Sequence, residues 1–253
     1  MRKARKILEG LQKAIRLHPR SQAFRDWRYG RPDGLPIPPR ELRFLVSGDR
    51  NDSASSFFNM GQLCAQRIVG ALKKADVDIK TFDAILDFGC GCGRTIRHFE
   101  TLKRTELYGT DYNSKLVAWC ERNLPFARFG LNQLCPPLGY SDESFDLVYA
   151  FSVFTHWPES LQFVWMKELS RVLKPAGFLV ISTLPLTRLP ESQRIGRLVV
   201  VKEDEAGANA CLAYHAPGYV KDTLAKGFQV VQFIEGGVGQ DFYLLRKFAD
   251  EKT

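Results

Sequence analysis

The sequence contains no long apolar run and no cysteine pair at metal-binding spacing. A span across a bilayer needs about 20 consecutive apolar residues, and no stretch of the 253 residues approaches that length. The first residues lack the apolar segment typical of a secretory signal. The six cysteines are scattered without a C-x-x-C pair, which argues against a zinc site and favours reduced thiols. We therefore expect no transmembrane segment, no metal site and a cytoplasmic location.

Positive charge is concentrated near the N-terminus. Residues 1–43 hold 12 Lys and Arg against 4 Asp and Glu, whereas residues 44–253 hold 24 of each. An enzyme acting on nucleic acid is expected to carry basic side chains around its active site, so the neutral remainder argues against a nucleic-acid partner. We divide the chain into a basic N-terminal arm, residues 1–43, and a larger domain, residues 44–253.

Two segments make up the arm. Residues 1–18 have the pattern of a basic amphipathic helix, which can pack on its own domain or make peripheral contact with an anionic membrane or a protein. Residues 19–43 contain five prolines and interleaved aromatic side chains, and proline disfavours regular structure. This Pro-rich segment is either a lid across a substrate pocket or a packed arm without a catalytic part.

The most informative motif is AILDFGCGCGR at residues 84–94. It predicts a buried strand, a glycine-rich turn, and a helix from Thr95 to Phe99 and beyond. Glycines let a ligand lie against bare backbone, and a helix N-terminus directs free N–H groups at it. We therefore expect a nucleotide-like ligand at the carboxyl end of the strand. The dinucleotide pattern G-x-G-x-x-G fails because Arg94 and Ile96 occupy the third-glycine positions, and the Walker pattern is absent.

Strand and helix patterns alternate through the rest of the domain, which predicts a parallel sheet with right-handed crossovers. Two late strands joined by a glycine-rich turn predict an antiparallel hairpin. The predicted helices lie near residues 57–76, 113–123, 158–172 and 218–226. The predicted strands after the first lie at residues 106–111, 126–131, 145–152, 178–181, 228–234 and 241–247.

Four motifs in this order resemble those of the class I S-adenosylmethionine-dependent methyltransferases. They are the acid-spacer-GxGxG run from Asp87, the strand that ends in Asp111, FDLVYAFSVFTHW, and ELSRVLKPAGFLVIST. The resemblance covers residues 57–248. It implies an α/β, Rossmann-like fold with a seven-stranded, mostly parallel sheet, an antiparallel C-terminal hairpin, and helices on both faces. It also implies S-adenosyl-L-methionine as cofactor and S-adenosyl-L-homocysteine as product.

The resemblance assigns the cofactor site. Asp87 would reach the amino group of the cofactor. Asp111, 18 residues past Gly93, stands where a carboxylate accepts both ribose hydroxyls, and Asn132 stands near the adenine amine. The predicted cofactor-binding residues are Asp87, Phe88, Gly89, Cys90, Gly91, Gly93, Arg94, Asp111, Tyr112, Asn132, Phe151 and Ser152.

His156 is the candidate general base, since it follows the fourth strand and histidine titrates near neutral pH. The alternative role for His156 is a hydrogen bond to a backbone carbonyl that orders its loop. His215 and Asp241 are weaker candidates for the base, because surface or capping roles explain both.

Differences between this sequence and the motifs of related families narrow the range of possible methyl acceptors. Phe151-Ser152-Val153-Phe154 stands where nucleobase amine methyltransferases carry Asn/Asp-Pro-Pro-aromatic, and the paired glutamates of protein arginine methyltransferases are missing. This leaves in-line methyl transfer to a small molecule: a metabolite, a glycan or a lipid intermediate. The alternatives are an RNA methyltransferase held to its substrate by the basic arm and a non-catalytic, cofactor-binding interaction module.

Overall fold

The computed structural model describes residue 26, residues 29–49 and residues 53–249. The amphipathic segment predicted at residues 1–18 and most of residues 19–28 lie outside this range. The helices are α1 (Arg40–Ser47), α2 (Ala54–Lys74), α3 (Ser114–Asn123), α4 (Glu159–Val172) and α5 (Pro217–Tyr219), which continues as a π-helical turn, Val220–Leu224. The strands are β1 (Ala84–Phe88), β2 (Glu106–Asp111), β3 (Arg128–Leu131), β4 (Phe145–Ala150), β5 (Leu173–Pro185), β6 (Leu198–Val201), β7 (Leu212–His215), β8 (Phe228–Ile234) and β9 (Asp241–Lys247).

Seven strands form the main sheet, in the order β3-β2-β1-β4-β5-β9-β8. The first five are parallel, and β9 lies antiparallel between β5 and β8. The predicted Rossmann-like fold with an antiparallel C-terminal hairpin is confirmed. Because the parallel strands end at one edge, the loops after β1, β2 and β4 converge there.

Alternating side chains bury the two faces of the sheet against different helices. Leu86 and Phe88 pack with Trp165 of α4, whereas Ile85 packs with Ile68 of α2. The period of two along β1 therefore divides the core into two clusters. Asp87 shares the face of Ile85, so its carboxyl group lies inside the protein, on the α2 side.

A second hairpin, β6–β7, was not predicted. Its strands pair antiparallel, and β7 runs parallel to the last residues of β5 through Leu184↔Tyr214 and Pro185↔His215. The run Leu198-Val199-Val200-Val201 was the available signal, since β-branched residues favour strands. Four-residue strands show too little periodicity to stand out from loop sequence.

Two other predictions differ from the structure. A helix was predicted from Thr95 to Phe99 and beyond, but the structure has only a short 3₁₀ turn there, Ile96–Phe99. The predicted turn at residues 174–177 lies within β5, because Leu173 and Phe178 on its two sides both pair with β4. The remaining predicted helices and strands are present, with ends shifted by a few residues.

Candidate cofactor site

The glycine loop turns tightly above the sheet. The N–H groups of Gly89 and Cys90 both donate to the Thr110 carbonyl oxygen, at 2.8 and 2.9 Å, which ties the loop to the end of β2. Gly89 has φ +75° and Gly91 φ +56°, a region costly for other residues. A Cβ added at Gly89 would lie 2.4 Å from Val153 Cγ2. Only glycine fits this turn.

A cavity of about 210 Å³ lies beside the loop at the carboxyl ends of β1, β2 and β4. It brings together His156 and eleven of the predicted cofactor-binding residues: Asp87, Phe88, Gly89, Cys90, Gly91, Arg94, Asp111, Tyr112, Asn132, Phe151 and Ser152. The Phe88 ring packs against Trp157 and Trp165, with centroids 5.8 and 4.6 Å away.

Gly93 is the one predicted residue that does not line this cavity. A Cβ at this position would lie 2.3 Å from Leu124 Cδ1 and 3.6 Å from Cys120 Sγ. Gly93 therefore allows the loop to pack against the end of α3. Its assignment to the cofactor stays a prediction.

Asp111 is held rigidly at the end of β2. Its Oδ2 accepts from the Gly91 N–H at 2.9 Å and its Oδ1 accepts from the Asn113 N–H at 2.8 Å. Burial raises the pKa of this carboxyl, and the two N–H groups act in the opposite direction. Each oxygen keeps a further lone pair, so the group can accept two hydroxyls of one diol.

Asp87 lies on the other side of the loop and is 4 % exposed. Its Oδ2 has no hydrogen-bond partner among the described residues. Burial raises the pKa of Asp87 to about 8, the Tyr149 hydroxyl lowers it, and the neighbouring Asp111 charge raises it. An orphaned buried carboxyl beside a cavity needs a donor from a ligand, and an ammonium group meets that need.

Tyr112 and Asn132 both line the cavity, and Asn132 is the residue predicted to lie near the adenine amine. The Tyr112 hydroxyl donates to the Gly207 carbonyl oxygen at 2.5 Å. The Asn132 amide nitrogen donates to the Gln133 carbonyl oxygen at 2.7 Å, and Asn132 Oδ1 has no partner among the described residues. A free amide oxygen is suited to accept from an exocyclic amine.

His156 Nδ1 lies 2.8 Å from the Cys211 carbonyl oxygen, so this nitrogen carries the hydrogen and Nε2 carries the lone pair. Burial lowers the pKa of His156 and the carbonyl raises it in part, which keeps the ring neutral at pH 7. The hydrogen bond that orders the loop and the capacity to accept a proton therefore coexist in one residue.

The two weaker candidates lie elsewhere. His215 Nε2 lies 2.9 Å from Gln162 Oε1 in the core, and burial lowers the pKa of His215 to about 4. Asp241 Oδ1 accepts from the Gly236 N–H at 3.0 Å and caps the β8–β9 turn. Neither lines the cavity.

Sequence reasoning missed residues that line the cavity from two added segments. Leu45 and Val46 come from α1, and Gly207 and Asn209 come from the β6–β7 connection. Asn209 Nδ2 donates to the Leu45 carbonyl oxygen at 3.2 Å, so the two segments meet at the cavity. The predicted boundary between residues 43 and 44 falls inside α1.

Buried ion pairs hold the Pro-rich segment on the domain. Arg97, fully buried, donates to both Asp33 oxygens at 2.6 and 3.0 Å and to the carbonyl oxygens of Leu35 and Pro36. Arg43 pairs with Asp26 and donates to the Pro38 carbonyl oxygen at 2.7 Å. The described residues of this segment therefore pack on the domain, and none of them lines the cavity; Leu45 and Val46, which do, follow it on α1.

No cluster of three or more His, Cys, Asp or Glu residues in the described part of the chain is arranged to hold a metal ion. None of the helices described here is long and apolar enough to cross a bilayer.

Comparison with known proteins points to one family. Residues 86–181 match the family described as "Methyltransferase domain". A sterol 24-C-methyltransferase of Schizosaccharomyces pombe is 33% identical over 39% of this chain and 27% of its own length. A malonyl-[acyl-carrier protein] O-methyltransferase of Enterobacter lignolyticus is 27% identical over 56% of this chain and 54% of its own length. The matches thus span about half or less of these curated relatives.

Solved structures share the fold. The 1,6-didemethyltoxoflavin N1-methyltransferase of Burkholderia thailandensis, solved with 1,6-didemethyltoxoflavin and S-adenosylhomocysteine, superposes with a TM-score of 0.53 and 17% identity, covering 83% of this chain and 91% of that one. The sheet order, the glycine loop between two buried acids, and the family match lead to one conclusion: residues 86–181 form a methyltransferase domain, and the chain has the fold of the class I S-adenosylmethionine-dependent methyltransferases.

Proposed function

We propose that this chain transfers a methyl group from S-adenosylmethionine to a small-molecule acceptor. The observation that carries the proposal is the pair of buried acids, Asp87 and Asp111, which line one cavity together with the glycine loop. Asp111 would accept the ribose hydroxyls, Asp87 the ammonium group, and Asn132 the adenine amine. The bound sulfonium supplies the activated methyl group, which is the hard part of the chemistry.

The residues of the chain position and desolvate the reactants. Val46 and Leu45 of α1, together with Gly207 and Asn209, would exclude water from the cavity. His156, with Nδ1 hydrogen-bonded to the Cys211 carbonyl oxygen, would hold its Nε2 lone pair ready for a proton from the acceptor. We therefore assign His156 as the candidate base.

The relatives support a small acceptor. Their printed names cover a sterol, a malonyl group on a carrier protein and a toxoflavin precursor, that is, methyl transfer to carbon, oxygen and nitrogen. A metabolite, a glycan or a lipid intermediate are all consistent with this spread. Reduced thiols at every described cysteine agree with the cytoplasmic location, which stays a prediction.

Calorimetric titration tests the cofactor. We expect the protein to bind S-adenosylmethionine and S-adenosylhomocysteine but not NADH. Asp111→Ala should raise the Kd for S-adenosylhomocysteine at least about tenfold, because two charge-assisted hydrogen bonds are lost. Glu121→Ala, which removes an exposed acid from α3, is the matched control and should leave the affinity unchanged. Unchanged affinity in Asp111→Ala would refute the ribose assignment. Acceptors can then be screened with a labelled methyl group.

A further inference from the structure

Ser152 adopts an unusual backbone conformation in the wall of the cavity. It directly follows β4 and has φ +58°, a region in which a non-glycine residue carries strain. Such a residue persists only where its surroundings hold it. The contacts around Ser152 must therefore offset a local cost.

Two side chains hold Ser152 in place. Its N–H donates to Ser182 Oγ on β5 at 2.9 Å. Ser182 Oγ donates to Gln240 Oε1 at 2.7 Å, and Gln240 Nε2 donates to Ser152 Oγ at 2.8 Å. Ser182 is fully buried, and Gln240 comes from the β8–β9 turn. The three residues form a closed ring of hydrogen bonds.

The ring has a fixed direction. A backbone N–H can only donate, so Ser182 Oγ accepts there, and its own hydrogen goes to Gln240 Oε1, an amide oxygen that can only accept. This orients the amide with Nε2 toward Ser152, whose oxygen accepts. The hydroxyl hydrogen of Ser152 then has no acceptor among the described residues.

We propose that Gln240 is a positioning residue that makes Ser152 a hydrogen-bond donor to the ligand in the cavity. The inference rests on the proposed function, since the ligand is the S-adenosyl group. The partner of Ser152 is then a lone-pair oxygen or nitrogen of that ligand, in either its amino-acid part or its nucleoside part. Gln240 itself touches no reacting atom.

Gln240→Glu tests the direction of the ring, because it preserves shape and reverses polarity. A carboxylate accepts from Ser182 as before but also accepts from Ser152, which draws the hydroxyl hydrogen away from the cavity. We expect the Kd for S-adenosylhomocysteine to rise about five- to tenfold, the value of one hydrogen bond. Ser152→Ala should have the same effect. The double variant should be no weaker than either single variant.

Several comparisons distinguish this role from a structural one. Gln229→Glu places the same charge on an exposed site of the same hairpin and should leave the Kd unchanged. 5′-Methylthioadenosine, which lacks the amino-acid part, locates the partner: weaker binding of both ligands places it in the nucleoside, and weaker binding of S-adenosylhomocysteine alone places it in the amino-acid part.

An unchanged Kd in Gln240→Glu, or losses that add in the double variant, would overturn the inference while the wild-type protein still binds. A lower thermal unfolding midpoint in the ligand-free variant with additive losses indicates a purely structural role. Failure of the wild-type protein to bind S-adenosylhomocysteine would refute the proposed function instead.

Discussion

Two buried acids at the same loop differ in how their charge is satisfied. Asp111 receives a backbone N–H on each oxygen, so its ionised form is stabilised before any ligand arrives. Asp87 has an oxygen without a partner among the described residues, and burial raises its pKa to about 8. These environments agree with the proposed roles, a hydroxyl acceptor for Asp111 and the partner of an ammonium group for Asp87. Their distinct environments assign distinct roles to chemically identical side chains.

The raised pKa of Asp87 predicts proton release on cofactor binding. At pH 6.5 the free protein holds Asp87 protonated, because this pH lies below the raised value of about 8. Pairing with an ammonium group favours the carboxylate, so close to one proton per site should leave for the buffer. Titration calorimetry in buffers of different ionisation enthalpy measures this number. In Asp87→Asn the release should vanish; persistence there would show that another group titrates.

The same shift has a consequence for stability. The folded pKa of Asp87 lies above its ordinary value of 3.8, so the folded protein binds this proton more tightly than the unfolded chain. Its contribution to the free energy of unfolding is therefore full below about pH 4 and is lost as pH rises through about 8. Asp87→Asn should remove this part of the pH dependence.

At the scale of elements, α1 is positioned by contacts far from the cavity. Val46 lies over the glycine loop, where a Cβ at Gly91 would come within 2.7 Å of its Cγ2. The preceding Pro-rich segment is tied down by the Arg97–Asp33 pair. Arg97 belongs to the turn that follows the same loop, so one buried cation links the loop and the helix above it.

Asp33→Ala should both destabilise the protein and weaken its binding of the ligand. It leaves the Arg97 guanidinium buried without its partner, which costs about 3 kcal/mol or more, and it removes one of the contacts that hold the segment preceding α1. We expect a thermal unfolding midpoint about 5–10 °C lower and a higher Kd for S-adenosylhomocysteine. Glu41→Ala, an exposed change on α1, should alter neither. A lower midpoint with unchanged Kd would separate α1 from ligand binding.

The pH dependence of this contact has the opposite sign to that of Asp87. Burial favours the protonated form of Asp33, but the hydrogen bonds and charge of Arg97 outweigh it and lower its pKa below 3.8. The stabilisation is therefore complete above the ordinary pKa and is lost as pH falls through the lowered one.

Most of the sheet and nearly all of the core site could be predicted from the sequence, because both follow from local patterns. The glycine run from Gly89 and the acid at Asp111 occur at fixed spacings along adjacent strands. Val46 and Asn209, which line the cavity, and Gln240, which contacts Ser152 in its wall, were missed, because contacts between elements distant in sequence place them there. No periodicity or motif records such contacts, and the short β6–β7 hairpin gave almost no pattern.

At the scale of the whole molecule, most of the excess positive charge lies outside the part of the chain that forms the cavity. Eight of the 12 Lys and Arg in residues 1–43 fall within residues 1–25, whereas the arm from residue 29 onward packs on the domain. The rival hypothesis of an RNA methyltransferase places RNA binding in the basic segment. The proposed small-molecule function needs none of those charges.

Removal of residues 1–25 distinguishes these hypotheses. We expect the shortened chain to bind S-adenosylhomocysteine within about twofold of the full chain, because no described residue of the cavity is lost. RNA binding by fluorescence anisotropy should be weak in both chains. Salt-dependent RNA binding by the full chain that is lost when residues 1–25 are removed would instead favour the RNA hypothesis.

The hydrogen bond between Asn209 and the Leu45 carbonyl oxygen joins two segments that lie outside the seven-stranded sheet. Since both segments line the cavity, we expect them to separate before a spent ligand leaves. We therefore expect the opening of this bridge to set the residence time of the product. Substitutions at Asn209 should change the turnover rate while leaving the equilibrium affinity of the protein for substrate almost unchanged.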